Sequence, residues 1–281
     1  MFCILRRFSR GLLRSNPVFI SQANLAVKER LAQISRVEEL KKFVDENETV
    51  FRHMGPVEFL LQSFERAAAS ARSRRDASSD EMFELVVSVV RFAGSRGSYK
   101  DLIKFRQIFR ELRPFNEEQM RTLLELPEIL RKRTSPMIMR VILIIECLRN
   151  KVAVEKAREL IPKIVKDISK GKLIIESNPG MYIFSLISQH RDEFPIEIRT
   201  IIRWLNLFAQ DGQSQLTKES QKLGLEVILN YSKECPDLES KVNKVKLGIS
   251  DCNESDSFTK LITNVPLPVQ LQPSGQRPQG R

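Results

Sequence analysis

Between Arg91 and Arg113 the chain carries Arg91, Arg96, Lys100, Lys104, Arg106, Arg110 and Arg113 against Asp101 and Glu111. Basic residues spaced three and four apart form stripes along a helix, and such stripes hold phosphate groups by charge. On a helix over 99–113, Leu102, Phe105, Ile108, Phe109 and Leu112 take the apolar side. Arg106, Arg110 and Arg113 then flank that side, and Lys100 with Lys104 lies opposite the core. Further along the chain come Arg131, Lys132 and Arg133, then Arg140 and Arg149 at the positions equivalent to the basic ones of the first helix. The expected chemistry is a basic ridge that follows a phosphate backbone and holds it without reading bases, with Arg96, Lys100, Lys104, Arg106 and Arg110 as phosphate contacts. Tyr99, beside Lys100, would stack a base. The solvated face of an ordinary basic protein has the same composition, so that reading stands beside this one.

No catalytic constellation accompanies the ridge. Nucleophilic catalysis needs a base within hydrogen-bond reach of the nucleophile. The two histidines, His53 and His190, stand far apart in sequence, neither beside a recognisable nucleophile turn. The glycines of "GSRGSYK" at 94–100 lack the preceding strand of a phosphate loop. The four cysteines, Cys3, Cys147, Cys235 and Cys252, form no CxxC pair, so no zinc site is spelled, and their placement does not suggest a disulfide framework. The expectation is a non-enzyme with no catalytic residue, no metal and no cofactor.

The elements that would position the ridge are helices. A chain of 281 residues that is 42% hydrophobic can bury a large core, and its net charge of +11 favours polyanionic partners. The helix-patterned segment 80–94 slides by about 37 positions onto 117–131, placing Phe83 on Met120, Val86 on Leu123 and Val87 on Leu124. The segment 99–113 slides by about 36 onto 135–149, placing Phe105 on Val141, Ile108 on Ile144 and Leu112 on Leu148. Looser steps carry Ala157, Leu160 and Ile161 onto Ile198, Ile201 and Ile202, and Phe184 with Ile187 onto Leu225 with Ile228. Gly94, Gly97, Pro114, the "TSP" at 134–136, the "NPG" at 178–180, Pro195 and Gly212 separate the segments, and strand-like alternation is nearly absent outside "KLIIES" at 172–177. One helix pair cannot bury both apolar faces. The predicted fold is therefore all-α, a right-handed α-solenoid of stacked helix pairs with a period of about 36 to 41 residues. A plain helical bundle would share the local pattern.

The predicted organisation is a targeting segment over 1–20, N-terminal helices over 21–75, a repeat domain over 76–250 and a disordered tail over 251–281. In the first twenty residues Arg6, Arg7, Arg10 and Arg14 interrupt the apolar residues and no carboxylate occurs, the composition of a mitochondrial transit peptide. Cleavage is expected between Ser15 and Ala26. The most apolar run, 137–148, contains Arg140 and Glu146 and falls short of the about 20 residues a membrane span needs, so it reads as a buried helix. The tail is rich in Pro, Gln and Gly and has little core-forming capacity.

The stretches "ELVVSVVRFAG", "YKDLIKFRQIFREL" and "RPFNEEQMRTLLELPEIL" resemble the heptatricopeptide and octotricopeptide repeats of organellar proteins, including the FAST-kinase-like ones. The resemblance covers a third to a half of the chain. It implies a mitochondrial matrix protein whose partner is RNA, messenger or ribosomal, with ribosomal or other mitochondrial proteins alongside. Such proteins frequently end in a small αβ domain called RAP, which this tail cannot supply, and any nuclease-like role goes with that domain. The alternative is a scaffold subunit of a large mitochondrial assembly that makes no direct RNA contact.

Overall fold

The structure is a computed structural model that describes residues 17–54, 57–74, 79–112, 115–126, 134–171, 176–210 and 216–232. Among the described residues it is all-α, with twelve helices and no strand. The helices are α1 (Pro17–Gln33), α2 (Val37–Glu46), α3 (Glu48–Met54), α4 (Val57–Arg74), α5 (Ser79–Arg96), α6 (Tyr99–Glu111), α7 (Glu117–Leu124), α8 (Thr134–Asn150), α9 (Val154–Ser169), α10 (Ser177–Ser188), α11 (Ile198–Gln210) and α12 (Lys218–Ser232). The chain divides into two compact units between Ile175 and Glu176. The opening residues up to Asn16, expected to be part of a targeting segment, most of the "KLIIES" stretch and the tail lie outside the described residues. So do Cys3, Cys235 and Cys252, residues 75–78, and Arg113 with Arg131, Lys132 and Arg133.

In the first unit the helices pack in two rows. In one, α1 packs on α4, α4 on α6 and α6 on α8; in the other, α2 packs on α5, α5 on α7 and α7 on α9. Polar contacts link neighbours within a row. Ser63 Oγ and Arg66 of α4 donate to the carbonyl of Leu31 near the end of α1, which also accepts from the backbone N–H of Ile34. Lys104 of α6 pairs with Glu65 of α4 at 2.8 Å, and Lys156 of α9 reaches back to Glu125 just beyond α7 at 3.2 Å. Helix α6 begins where its sequence dictates: Ser98 accepts from the backbone of Asp101, and the Asp101 carboxylate accepts from the backbone of Ser98. Asn116 and Gln119 build the same box at the start of α7. Gly97 brings the chain there, because a Cβ at that position would lie 2.6 Å from the carbonyl oxygen of Ala93.

Two prolines act differently. The segment 117–131 was expected to be helical throughout, but α7 stops at Leu124, shortly before Pro127, as the steric demand of proline on the preceding residues requires. Helix α9 runs through Pro162. Pro162 and Arg158 both lie on the exposed side of α9, where water can replace the lost backbone donor.

Helix α8 is the centre of the first unit. Every residue from Pro136 to Cys147 is buried, and α5, α6, α7 and α9 all pack on it. It ends in a Schellman motif, with the N–H of Val152 donating to Cys147 and that of Lys151 to Leu148, and it places Lys151 at φ 57° where glycine is usual.

In the second unit α10 is buried along most of its length, and both α11 and α12 pack on it. Phe184, Trp204 and Phe208 stack with ring centroids 5.7 to 6.1 Å apart. Asn178 near the start of α10 accepts from the N–H of Thr217 before α12, and Asn230 near the end of α12 donates to Ser188. The two helices therefore run parallel.

Candidate anion-binding site

The expected ridge residues go to several places. Arg96 and Lys100 are exposed, and Tyr99 is half-buried at the first position of α6. Lys104 is held by Glu65. Arg106 and Arg110 turn toward α8, and Arg140, on α8 itself, is only 1% exposed. Arg140 has no face open to a ligand because α8 has no polar face: four helices cover it. The stripe read from the amphipathic α6 does not carry over to a helix buried on all sides.

What the structure does bring together is a cluster around Glu146 of α8, a carboxylate whose side chain is 1% exposed. Arg110 Nε donates to its Oε1 at 2.6 Å, and Arg149 donates from the next turn of α8 at 3.4 Å to Oε2. Arg106 Nε lies 3.6 Å from Oε1, close enough for ion pairing but beyond a hydrogen bond, and among the described residues this buried nitrogen has no hydrogen-bond partner. Exposure rises across the three guanidiniums, from 13% at Arg106 through 37% at Arg110 to 54% at Arg149. The cluster thus grades from a buried pair to a wet, cationic edge.

That edge borders a recess at the C-terminal ends of α6 and α8. Phe109, Phe115 and Met120 are among its apolar lining, and Arg110, Glu146, Arg149 and Asn150 form its polar lining. Phe109 and Phe115 pack with ring centroids 5.5 Å apart. The guanidiniums supply donors that one carboxylate cannot fully use.

A second basic surface lies on α9. Lys163, Lys166 and Lys170 are all exposed on one side of it, opposite buried Ala157, Ile161, Ile164 and Ile168. Sequence reasoning missed this stripe, although its three-and-four spacing is legible. It also missed Glu146, whose place inside an apolar run gave no hint that three arginines converge on it.

His190 is half-buried in the turn after α10, where its N–H donates to Ile187, and no group of three or more His, Cys, Asp or Glu among the described residues is placed to hold a metal. No helix among them is long and apolar enough to cross a membrane. Cys147 on α8 is fully buried, and burial, with Glu146 adjoining, pushes its thiol up to about 12. Because the folded thiol titrates above its ordinary 9.0, its contribution to stability is complete below pH 9 and is lost as pH rises toward 12. In a chain whose other three cysteines are serine, Cys147 is expected to resist alkylation at neutral pH until denaturant unfolds the protein. Stability measured from pH 9 to 12 should fall less steeply in Cys147→Ala than in the parent; equal slopes would rule out the thiol as a contributor.

No protein-family model, curated protein or solved structure matches the chain.

Proposed function

We propose that this is a non-catalytic RNA-binding protein of the mitochondrial matrix. On this reading it is built as an α-solenoid of the heptatricopeptide or octotricopeptide kind and acts in organellar RNA metabolism or on the mitochondrial ribosome. The observation that carries the reading is the cluster at Glu146: three arginines meet one carboxylate, and two of them continue to a solvent-facing recess. The lysine stripe of α9 and the exposed Arg96 and Lys100 add positive surface, in keeping with the net charge of +11. The repeat reading is supported by packing between the segments that superimpose in sequence, α6 on α8 and α10 on α12. Arg110 and Glu146, the ion pair between α6 and α8, stand one sequence shift of about 36 apart. The arginine-rich opening segment supports the mitochondrial address.

A protein scaffold is the second reading, and one observation favours it: Lys104, Arg106 and Arg110 are each engaged with a carboxylate of this chain. Salt separates the two readings. Full-length protein is expected to bind a generic single-stranded RNA and to lose at least ten-fold in affinity between about 50 and 200 mM salt. Changing Lys100, Lys163, Lys166 and Lys170 to glutamine, all exposed and outside the Glu146 cluster, should weaken binding without altering the melting temperature. Absence of RNA binding, or binding indifferent to salt, would leave the scaffold reading.

A further inference from the structure

We propose that the recess between the ends of α6 and α8 seats a single phosphodiester group, gripped by Arg110 and Arg149 with Asn150 at the rim. The inference rests on the RNA-binding reading above and assigns one phosphate of the bound strand to one place.

Charge, geometry and solvation argue for it together. Arg110 lies in the last turn of α6 and Arg149 in the last turn of α8. Each helix end carries about half a negative charge, so it would repel an anion were it bare. Three guanidiniums set against Glu146 and those two helix ends leave a surplus of about one positive charge, which matches the single negative charge of a phosphodiester better than the double charge of a terminal phosphate. The donors are also present. Arg110 gives its Nε to Glu146 at 2.6 Å, and Arg149 gives one terminal nitrogen at 3.4 Å. The remaining guanidinium N–H groups of these two half-exposed and exposed side chains are available to phosphate oxygens in the forked geometry that arginine favours. Glu146 is fixed in the core of α8 and orients both arginines before any ligand arrives, so little side-chain freedom is lost on binding. Phe109, Phe115 and Met120, all buried, supply apolar lining beside the pair. The α8–α9 connection below Asn150 is held by the Schellman bonds.

Arg149 is the residue to test, because it is the most exposed of the three and its loss leaves Glu146 with the short Arg110 bond. Full-length protein is titrated into a labelled single-stranded RNA across a salt series, with Arg149→Gln and Arg149→Lys beside it and thermal melts of all three. Arg149→Gln is expected to bind about three- to ten-fold more weakly and to reduce the slope of log affinity against log salt by about 0.7, the loss of one phosphate contact, with an unchanged melt. Arg149→Lys keeps the charge and should keep the slope, though not the full affinity. Inorganic phosphate, added at fixed ionic strength, should compete with RNA for the parent more effectively than for Arg149→Gln. If the parent binds RNA with ordinary salt dependence and Arg149→Gln matches it in affinity and slope, the recess is not a phosphate seat and the broader reading survives. If the parent binds no RNA, both fall. Should Arg149→Gln lower the melting temperature, Arg149→Lys decides: retained melt with an altered slope counts against the proposal, and a retained slope supports it.

Discussion

Glu146→Ala is expected to destabilise the protein by about 3 kcal/mol, a large share of the roughly 5–15 kcal/mol that holds a typical domain folded. The estimate follows from what the substitution leaves behind. Glu146 is fully buried, and Arg106, 13% exposed, would stay in the fold without its counter-charge. Uncompensated buried charge costs about 3–5 kcal/mol, and the lower end applies because Arg110 and Arg149, at 37% and 54% exposed, can turn to water. Glu146→Gln keeps the shape and loses the charge, and should fall between alanine and the parent. The decisive comparison is the double variant Glu146→Ala with Arg106→Met, in which the stranded cation is gone. Urea denaturation should find it more stable than Glu146→Ala alone, a coupling of about 1 kcal/mol or more. A double variant whose loss equals the sum of the two single losses would mean that the carboxylate is not there to neutralise Arg106.

Much of this fold is legible because its local signals agree with one another. Apolar spacing marks the helices, "SYKD" and "NEEQ" carry their own capping boxes, and Pro127 ends α7 as proline chemistry requires. The segments that superimpose by sequence shift, α6 with α8 and α10 with α12, are ones that pack on each other. The candidate site is less legible, and the reason is burial. A stripe of arginines on an amphipathic helix looks the same whether it faces water or the end of a neighbour. Arg106 and Arg110 lie on the same side of α6, and only the position of α8 directs that side to Glu146. Arg140 and Glu146 sit in one apolar run and look alike there. Structurally they differ: Glu146 has three cations reaching it from α6 and α8, and Arg140 is covered by neighbouring helices. Sequence spacing gives the face of a helix but not what covers it.

Arg140 supplies the other large effect, one with an asymmetry. Burial holds this guanidinium below its ordinary range, and the negative charge of Asp167 on α9 acts the other way without cancelling it. Asp167 is itself 6% exposed, and among the described residues Nε and Nη2 of Arg140 find no hydrogen-bond partner. Removing the carboxylate leaves the buried guanidinium without that countervailing charge, and Asp167→Ala is expected to lower stability in urea denaturation by about 1–3 kcal/mol. Removing the arginine as well is a different operation. Arg140→Met combined with Asp167→Asn removes both charges, putting an apolar chain of similar reach among the Ile, Leu and Met residues of α8, and replacing both buried charges in this way is neutral or stabilising in comparable cores. The expected order is Asp167→Ala least stable, parent intermediate, and Arg140→Met with Asp167→Asn at or above the parent. Were the double variant as unstable as Asp167→Ala, the two charges would be stabilising the packing of α8 against α9, and the cost of burying the arginine would already be met in the native fold.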